Sequence, residues 1–168
     1  MTKWLLAAAL VLTALPSSVM AQSKKSLVGT WTLVSAKTTS DKGAVQDMYG
    51  PNPTGFLTYT TDGRMSVIVA DSRRKPLFSS GAPAAEAIAE AFSSFTAYAG
   101  SYTVTGDRVT HHIEVSSYQD FVNTDEMSSI EIQGDRLTLR AGQLVDRATS
   151  QPNSEIIWER MKPKTTTK

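Results

Sequence analysis

The chain has 168 residues, a formal net charge of +1, a hydrophobic content of 40% and no cysteine. That length suits one domain with one core. Near-neutrality argues against a nucleic-acid partner, which would favour a basic surface, and the absence of cysteine excludes disulfides and thiolate metal sites.

Residues 1–21 read as a secretory signal peptide. Lys3 supplies the positive n-region, 4–15 is a short apolar run, Pro16 interrupts it, and Val19-Met20-Ala21 offers a cleavage site. The apolar run is shorter than the roughly 20 residues that a spanning helix needs. The expectation is cleavage after Ala21, a protein exported to the periplasm or beyond, and no stable membrane anchor afterwards. Residues 22–161 then form the domain, and 162–168 a disordered tail.

The first strand is expected at about 27–38, beginning with Gly29-Thr30-Trp31. A large indole there must be covered by something distant in sequence, and the apolar run 154–161 with Trp158 is the natural cover. A short strand near 45–49 ends at Gly50-Pro51-Asn52-Pro53, where two prolines exclude a central strand. Asp62-Gly63 between 55–61 and 64–70 has the form of a two-residue hairpin turn. That turn sets Tyr59 opposite Ser66 and Leu57 opposite Ile68, so that these four share a face.

The loop 71–81 carries Arg73, Arg74 and Lys75, which either attract a carboxylated ligand or are simply solvated. One helix is expected at about 84–97, with Pro83 at its start and Ile88, Ala91, Phe92 and Phe95 as an apolar stripe. A second hairpin turns at Gly106-Asp107, placing Tyr102 opposite His111 and Val104 opposite Val109. His111 and Ile113 then lie on its apolar face, with His112 and Glu114 on the polar one. A third hairpin turns at Gly134-Asp135, with Ile130, Ile132, Leu137 and Leu139 on one face.

Sequential hairpins favour an antiparallel up-and-down meander, and about eight strands suffice to close a barrel that holds side chains or one small ligand. An open curved sheet with the helix in its concavity is the alternative architecture.

Several segments together carry a family resemblance. They are 27–31 (Leu-Val-Gly-Thr-Trp), 49–53 (Tyr-Gly-Pro-Asn-Pro), 55–59 (Gly-Phe-Leu-Thr-Tyr), 62–66 (Asp-Gly-Arg-Met-Ser), 98–102 (Tyr-Ala-Gly-Ser-Tyr), 111–114 (His-His-Ile-Glu) and 134–138 (Gly-Asp-Arg-Leu-Thr). In this order they resemble the bacterial and fungal lipocalin-like domain family. Gly29, Trp31 and Arg160 look like the lipocalin Gly-x-Trp and its partnering arginine. The resemblance implies a mainly β, calycin-type barrel and gives those three residues a structural role. The second lipocalin motif has no clear counterpart here beyond Asn123-Thr124-Asp125.

His111 is the titratable residue of most interest. It is either a buried neutral histidine, a ligand contact, or, with Tyr102, one half of an acid–base pair. Tyr59 and Ser66 either add hydroxyls to a pocket or form an ordinary cross-strand pair. The histidines should face opposite ways, so they do not chelate a metal together. There is no nucleophile elbow and no phosphate or dinucleotide loop, and no cofactor is expected.

The first functional expectation is a small apolar or amphipathic ligand in the barrel interior, against Leu57, Tyr59, Ser66, Ile68, Tyr102, His111 and Ile113. The alternatives are an isomerase- or cyclase-type enzyme using His111 and Tyr102, and a filled barrel acting through its surface.

Overall fold

The computed structural model describes residues 24–78, 81, 84–141 and 153–162. The expected signal peptide, Pro83 and residues 163–168 of the expected tail lie outside the described residues.

A one-turn helix α1 (Lys24–Leu27) leads into β1 (Gly29–Thr39). Next come β2 (Val45–Asp47), β3 (Thr54–Tyr59), β4 (Arg64–Ala70) and the helix α2 (Ala85–Ser93). Strands β5 (Phe95–Thr105), β6 (Arg108–Ser116), β7 (Thr124–Gln133), β8 (Arg136–Ala141) and β9 (Ser154–Arg160) complete the chain, with a 3-10 turn at Gln119–Phe121 before β7. All pairings are antiparallel, each strand from β3 onward pairs with the next, and β9 returns to β1. Eight strands therefore close a barrel, with β2 attached outside the ring to the far end of β1. Closure removes the free strand edges that an open sheet would expose.

The closure point is built from the residues that the sequence singled out. Trp31 lies opposite Arg160 in the β1–β9 ladder. Its indole is fully buried and donates Nε1–H to the Leu27 carbonyl at 2.8 Å. The Arg160 guanidinium lies 4.0 Å from the ring centroid and donates to the carbonyls of Val28 (2.8 Å) and Ser26 (2.7 Å). Gly29 has φ +134°, and a Cβ there would sit 2.8 Å from Arg160 Nη1. Glycine is thus required both by its backbone and by the arginine that passes over it.

The first hairpin departs from expectation by one residue. Tyr59 lies opposite Met65 and Leu57 opposite Val67, whereas Ser66 faces Thr58 and Ile68 faces Phe56. The loop has three residues, Thr61, Asp62 and Gly63, closed by Thr60 N–H on the Arg64 carbonyl at 2.9 Å, with Gly63 at φ +91°. The Thr60 hydroxyl accepts from Arg64 N–H at 3.1 Å and pairs with the Asp62 carboxylate. That side-chain closure competes with the bare two-residue turn. A slip of one residue moves every side chain of the strand to the other face. Met65, Val67 and Val69 are consequently buried, and Ser66 and Ile68 turn outward, Ile68 being 47% exposed. The other two hairpins have the expected registers, with Tyr102 opposite His111 and Gln133 opposite Arg136.

The helix is shorter than expected. It ends at Ser93, and Phe95 begins β5 because that segment pairs along β4, with Phe95 opposite Ala70. None of the residues of α2 is buried, and Ile88 and Phe92 of the expected stripe are about half exposed. The helix lies outside the barrel. Arg74 donates to the Ala91 carbonyl at 2.6 Å and stands over the Phe95 ring, so a cation serves the helix C-terminus.

Candidate functional site

The interior divides into two halves. At the end where β1 begins, Trp31, Leu57, Tyr59, Tyr102, Val109 and Leu137 fill the barrel, each at most 2% exposed. The other half holds a cavity of about 250 Å3. Its apolar wall includes Leu33, Ala36, Val67, Val69, Ile113, Leu139 and Ile156, and it runs outward to the partly exposed Tyr49, Tyr118 and Phe121. An engineered cavity of about 150 Å3 accepts benzene, so this one suits a molecule of roughly ten heavy atoms.

A polar chain enters this wall. His111 is 4% exposed and lines the cavity. Its Nε2 is 2.6 Å from the hydroxyl of Tyr59, and its Nδ1 is 3.3 Å from the hydroxyl of Tyr98. Burial, helped by the nearby His112, pulls the His111 pKa down from 6.5 to about 4. The ring is therefore neutral at neutral pH, with one donor and one acceptor nitrogen.

The surroundings choose the tautomer. Tyr59 is 1% exposed, and His111 is the only hydrogen-bond partner of its hydroxyl among the described residues. Were Nε2 the donor, the Tyr59 hydroxyl hydrogen would be buried without an acceptor, at a cost of about 1–3 kcal/mol. Tyr59 thus donates to Nε2, Nδ1–H donates to Tyr98, and the Tyr98 O–H is left to point at the cavity it lines. Burial raises both phenols above their ordinary pKa, Tyr59 most strongly. They remain neutral donors across the physiological range.

Glu126 on β7 lies directly opposite His111 and also lines the cavity. Burial raises its carboxyl pKa. No described residue gives it a hydrogen bond or an ion pair. Glu126 is thus a partly desolvated carboxyl beside a neutral histidine, with no partner among the described residues.

Of the seven residues expected to line a ligand site, His111 and Ile113 line the cavity. Leu57, Tyr59 and Tyr102 are buried in the filled half beneath it. Tyr102 packs against Tyr59 with the rings tilted at 58° and 4.7 Å between centroids, and it donates its hydroxyl hydrogen to the Thr60 carbonyl at 3.0 Å. It is the cross-strand neighbour of His111 but not its hydrogen-bond partner. Ser66 and Ile68 face away from the interior for the register reason given above.

Tyr98, Glu126 and Trp158 escaped the sequence reading as site residues. Tyr98 could have been found, since Tyr98, Gly100 and Tyr102 alternate along one strand and so share a face. Assigning 84–97 to helix hid that strand start. The approach of β5 to β6 is close here. A Cβ on Gly100 would stand 1.9 Å from the His112 carbonyl oxygen, and an extra residue in β6 at this point turns Val115 outward, to 61% exposure.

On the outer face, His112 bonds Asp125 (Nδ1 to Oδ1, 2.8 Å) and Thr103 (Nε2 to Oγ1, 3.0 Å). Glu114, on the same polar face, pairs with Arg64 at 2.8 Å and not with His112. Thr103–His112–Asp125 has the hydrogen-bond order of a nucleophile, base and orienting acid. It stands on open sheet surface, and none of its members lines the interior cavity. The basic loop is engaged locally, Arg73 with Asp71 at 2.5 Å and Arg74 with α2.

Comparison with known proteins gives a match over residues 28–161 to the family model described as a lipocalin-like domain. No curated protein matches the chain. Among solved structures, the chain is similar to a lipocalin-like protein from Bacteroides uniformis ATCC 8492, with 15% identity, a TM-score of 0.40, and coverage of 80% of this chain and 98% of that one. It is also similar to an uncharacterized protein from Bacteroides eggerthii DSM 20697, with 14% identity, a TM-score of 0.43, and coverage of 80% and 99% respectively.

Proposed function

The chain belongs to the lipocalin-like domain family, and from that premise we propose that it binds a small, largely apolar molecule with a polar group in the cavity of the barrel. The observation that carries this is the half-filled interior. Large side chains pack one end solid, while the other keeps about 250 Å3 with the Tyr59–His111–Tyr98 chain in its wall. A barrel acting only through its surface would have no need of such a space. The acid–base alternative based on His111 and Tyr102 loses support, because the Tyr102 hydroxyl is committed to Thr60 on the filled side.

The residues named for the pocket are His111, Ile113, Tyr98 and Glu126, with Val67 and Val69 in place of Ser66 and Ile68. The leader features of residues 1–21 support export, and the ligand would then be met in the periplasm or outside the cell.

The test is to fill the cavity. Ala36 is 2% exposed and lines it. Ala36→Phe should fold and lose binding of one- and two-ring aromatic fragments detected by ligand-observed NMR, at least tenfold relative to the parent, because the ring occupies the ligand's space. Equal binding by a folded Ala36→Phe protein would place the ligand elsewhere. A thermal melt and far-UV circular dichroism check the fold.

A further inference from the structure

Trp158 on β9 is 2% exposed and is among the residues that line the cavity, yet no described residue accepts its buried indole N–H. Trp31, the other buried indole, shows the ordinary solution, since its N–H is held by the Leu27 carbonyl at 2.8 Å. Buried indole donors normally find a partner. Around the ring of eight strands, β9 lies four positions from β5 in either direction. Trp158 therefore stands across the barrel from Tyr98, with Glu126 on β7 between them on one side.

We propose that the natural occupant is a compact molecule with a hydrogen-bond acceptor, a carbonyl or ether oxygen, that takes the Trp158 indole N–H, and a hydroxyl at its other end that meets Glu126 and Tyr98. This rests on the small-molecule reading of the cavity and names its chemistry. The arrangement is complementary. An indole can only donate, the Glu126 carboxyl can accept the hydroxyl hydrogen while the Tyr98 O–H donates to the hydroxyl oxygen, and the apolar wall between them fits a ring or short chain. The acceptor end supplies selectivity, because a molecule that lacks it leaves a buried donor unpaired in the complex.

The probe is 4-hydroxyacetophenone, which carries a carbonyl and a hydroxyl at opposite ends of one ring. 4-Ethylphenol lacks the carbonyl oxygen, and acetophenone lacks the hydroxyl. Affinities by calorimetry should fall by about tenfold on losing either group. In 1H–15N spectra, the Trp158 indole signal, assigned through Trp158→Phe, should move downfield with 4-hydroxyacetophenone and with acetophenone, but not with 4-ethylphenol. The Trp31 signal should stay in place. Trp158→Phe should erase the preference for the carbonyl compound while keeping the affinity for 4-ethylphenol, and Glu126→Gln should weaken the two phenols more than acetophenone.

Equal affinities of 4-hydroxyacetophenone and 4-ethylphenol for the parent protein, or a Trp158 signal unmoved by a bound ketone, would overturn the assignment and leave the binding function standing. The comparison within the parent protein holds even if Trp158→Phe does not fold. No binding by any of the three probes would remove both.

Discussion

Trp31→Ala is expected to lower the unfolding free energy by about 3–5 kcal/mol, a large fraction of the roughly 5–15 kcal/mol that holds a domain folded. Three losses coincide at one position. A fully buried indole leaves a void where the first and last strands meet. The Leu27 carbonyl loses its donor, so the one-turn helix before β1 is untied. The Arg160 guanidinium loses the ring 4.0 Å beneath it. Arg160→Met separates these effects, because it keeps the ring covered but removes the bonds to Val28 and Ser26, and it should cost about 1–3 kcal/mol. Urea unfolding followed by circular dichroism reads both. A Trp31→Ala protein within about 1 kcal/mol of the parent would show that barrel closure does not depend on this corner.

The second large effect is on pH. His111 has a pKa of about 4 in the folded chain, against 6.5 in its ordinary state. Between those values the unfolded chain binds a proton that the folded chain refuses, so stability rises with pH there and is lost as pH falls. The loss should reach about 3 kcal/mol by pH 4 and then level off for this group. Glu126 acts in the opposite sense, because burial raises its carboxyl pKa, and it offsets part of the loss.

The carboxylates held low by neighbours, such as Asp71 with Arg73 and Glu131 with Arg140, begin to lose their contribution only at the acid end of this window, near their unfolded values of 3.8 and 4.5, and below it. The tyrosines facing His111 stay neutral throughout. His111→Gln should therefore flatten the stability profile between about pH 6.5 and pH 4 while being less stable than the parent at pH 7. Equal slopes for the parent and His111→Gln over that window would mean that His111 takes up its proton as readily in the fold as in the unfolded chain, and the tautomer argued from Tyr59 would fall with it.

The architecture was legible in the sequence because it rests on repeated local signals. Two Gly-Asp turns set their registers correctly, and Gly29, Trp31 and Arg160 marked the closure. The site was less legible for two physical reasons. At Asp62-Gly63 the Thr60 side chain converts a two-residue turn into a three-residue loop, and one residue is enough to trade Ser66 and Ile68 for Met65, Val67 and Val69. Phe95 continues a helical stripe in sequence, but pairing with β4 claims it for a strand, and Tyr98 was missed with it. Trp158 was marked in the sequence only as a cover for Trp31, and Glu126 carried no signal. Neither polar group has a partner among the described residues, and the lack of a partner is a property of the folded interior that no spacing encodes.

The cavity itself is tested most directly by native mass spectrometry of the protein purified from its own host without denaturation. The expected spectrum shows the folded protein carrying one additional neutral mass, on the order of 120–160 Da for an occupant of this volume, which dissociates on collisional activation and is absent from Ala36→Phe prepared in the same way. A spectrum of the bare chain alone, unchanged after incubation with concentrated host extract, would contradict a ligand-binding barrel.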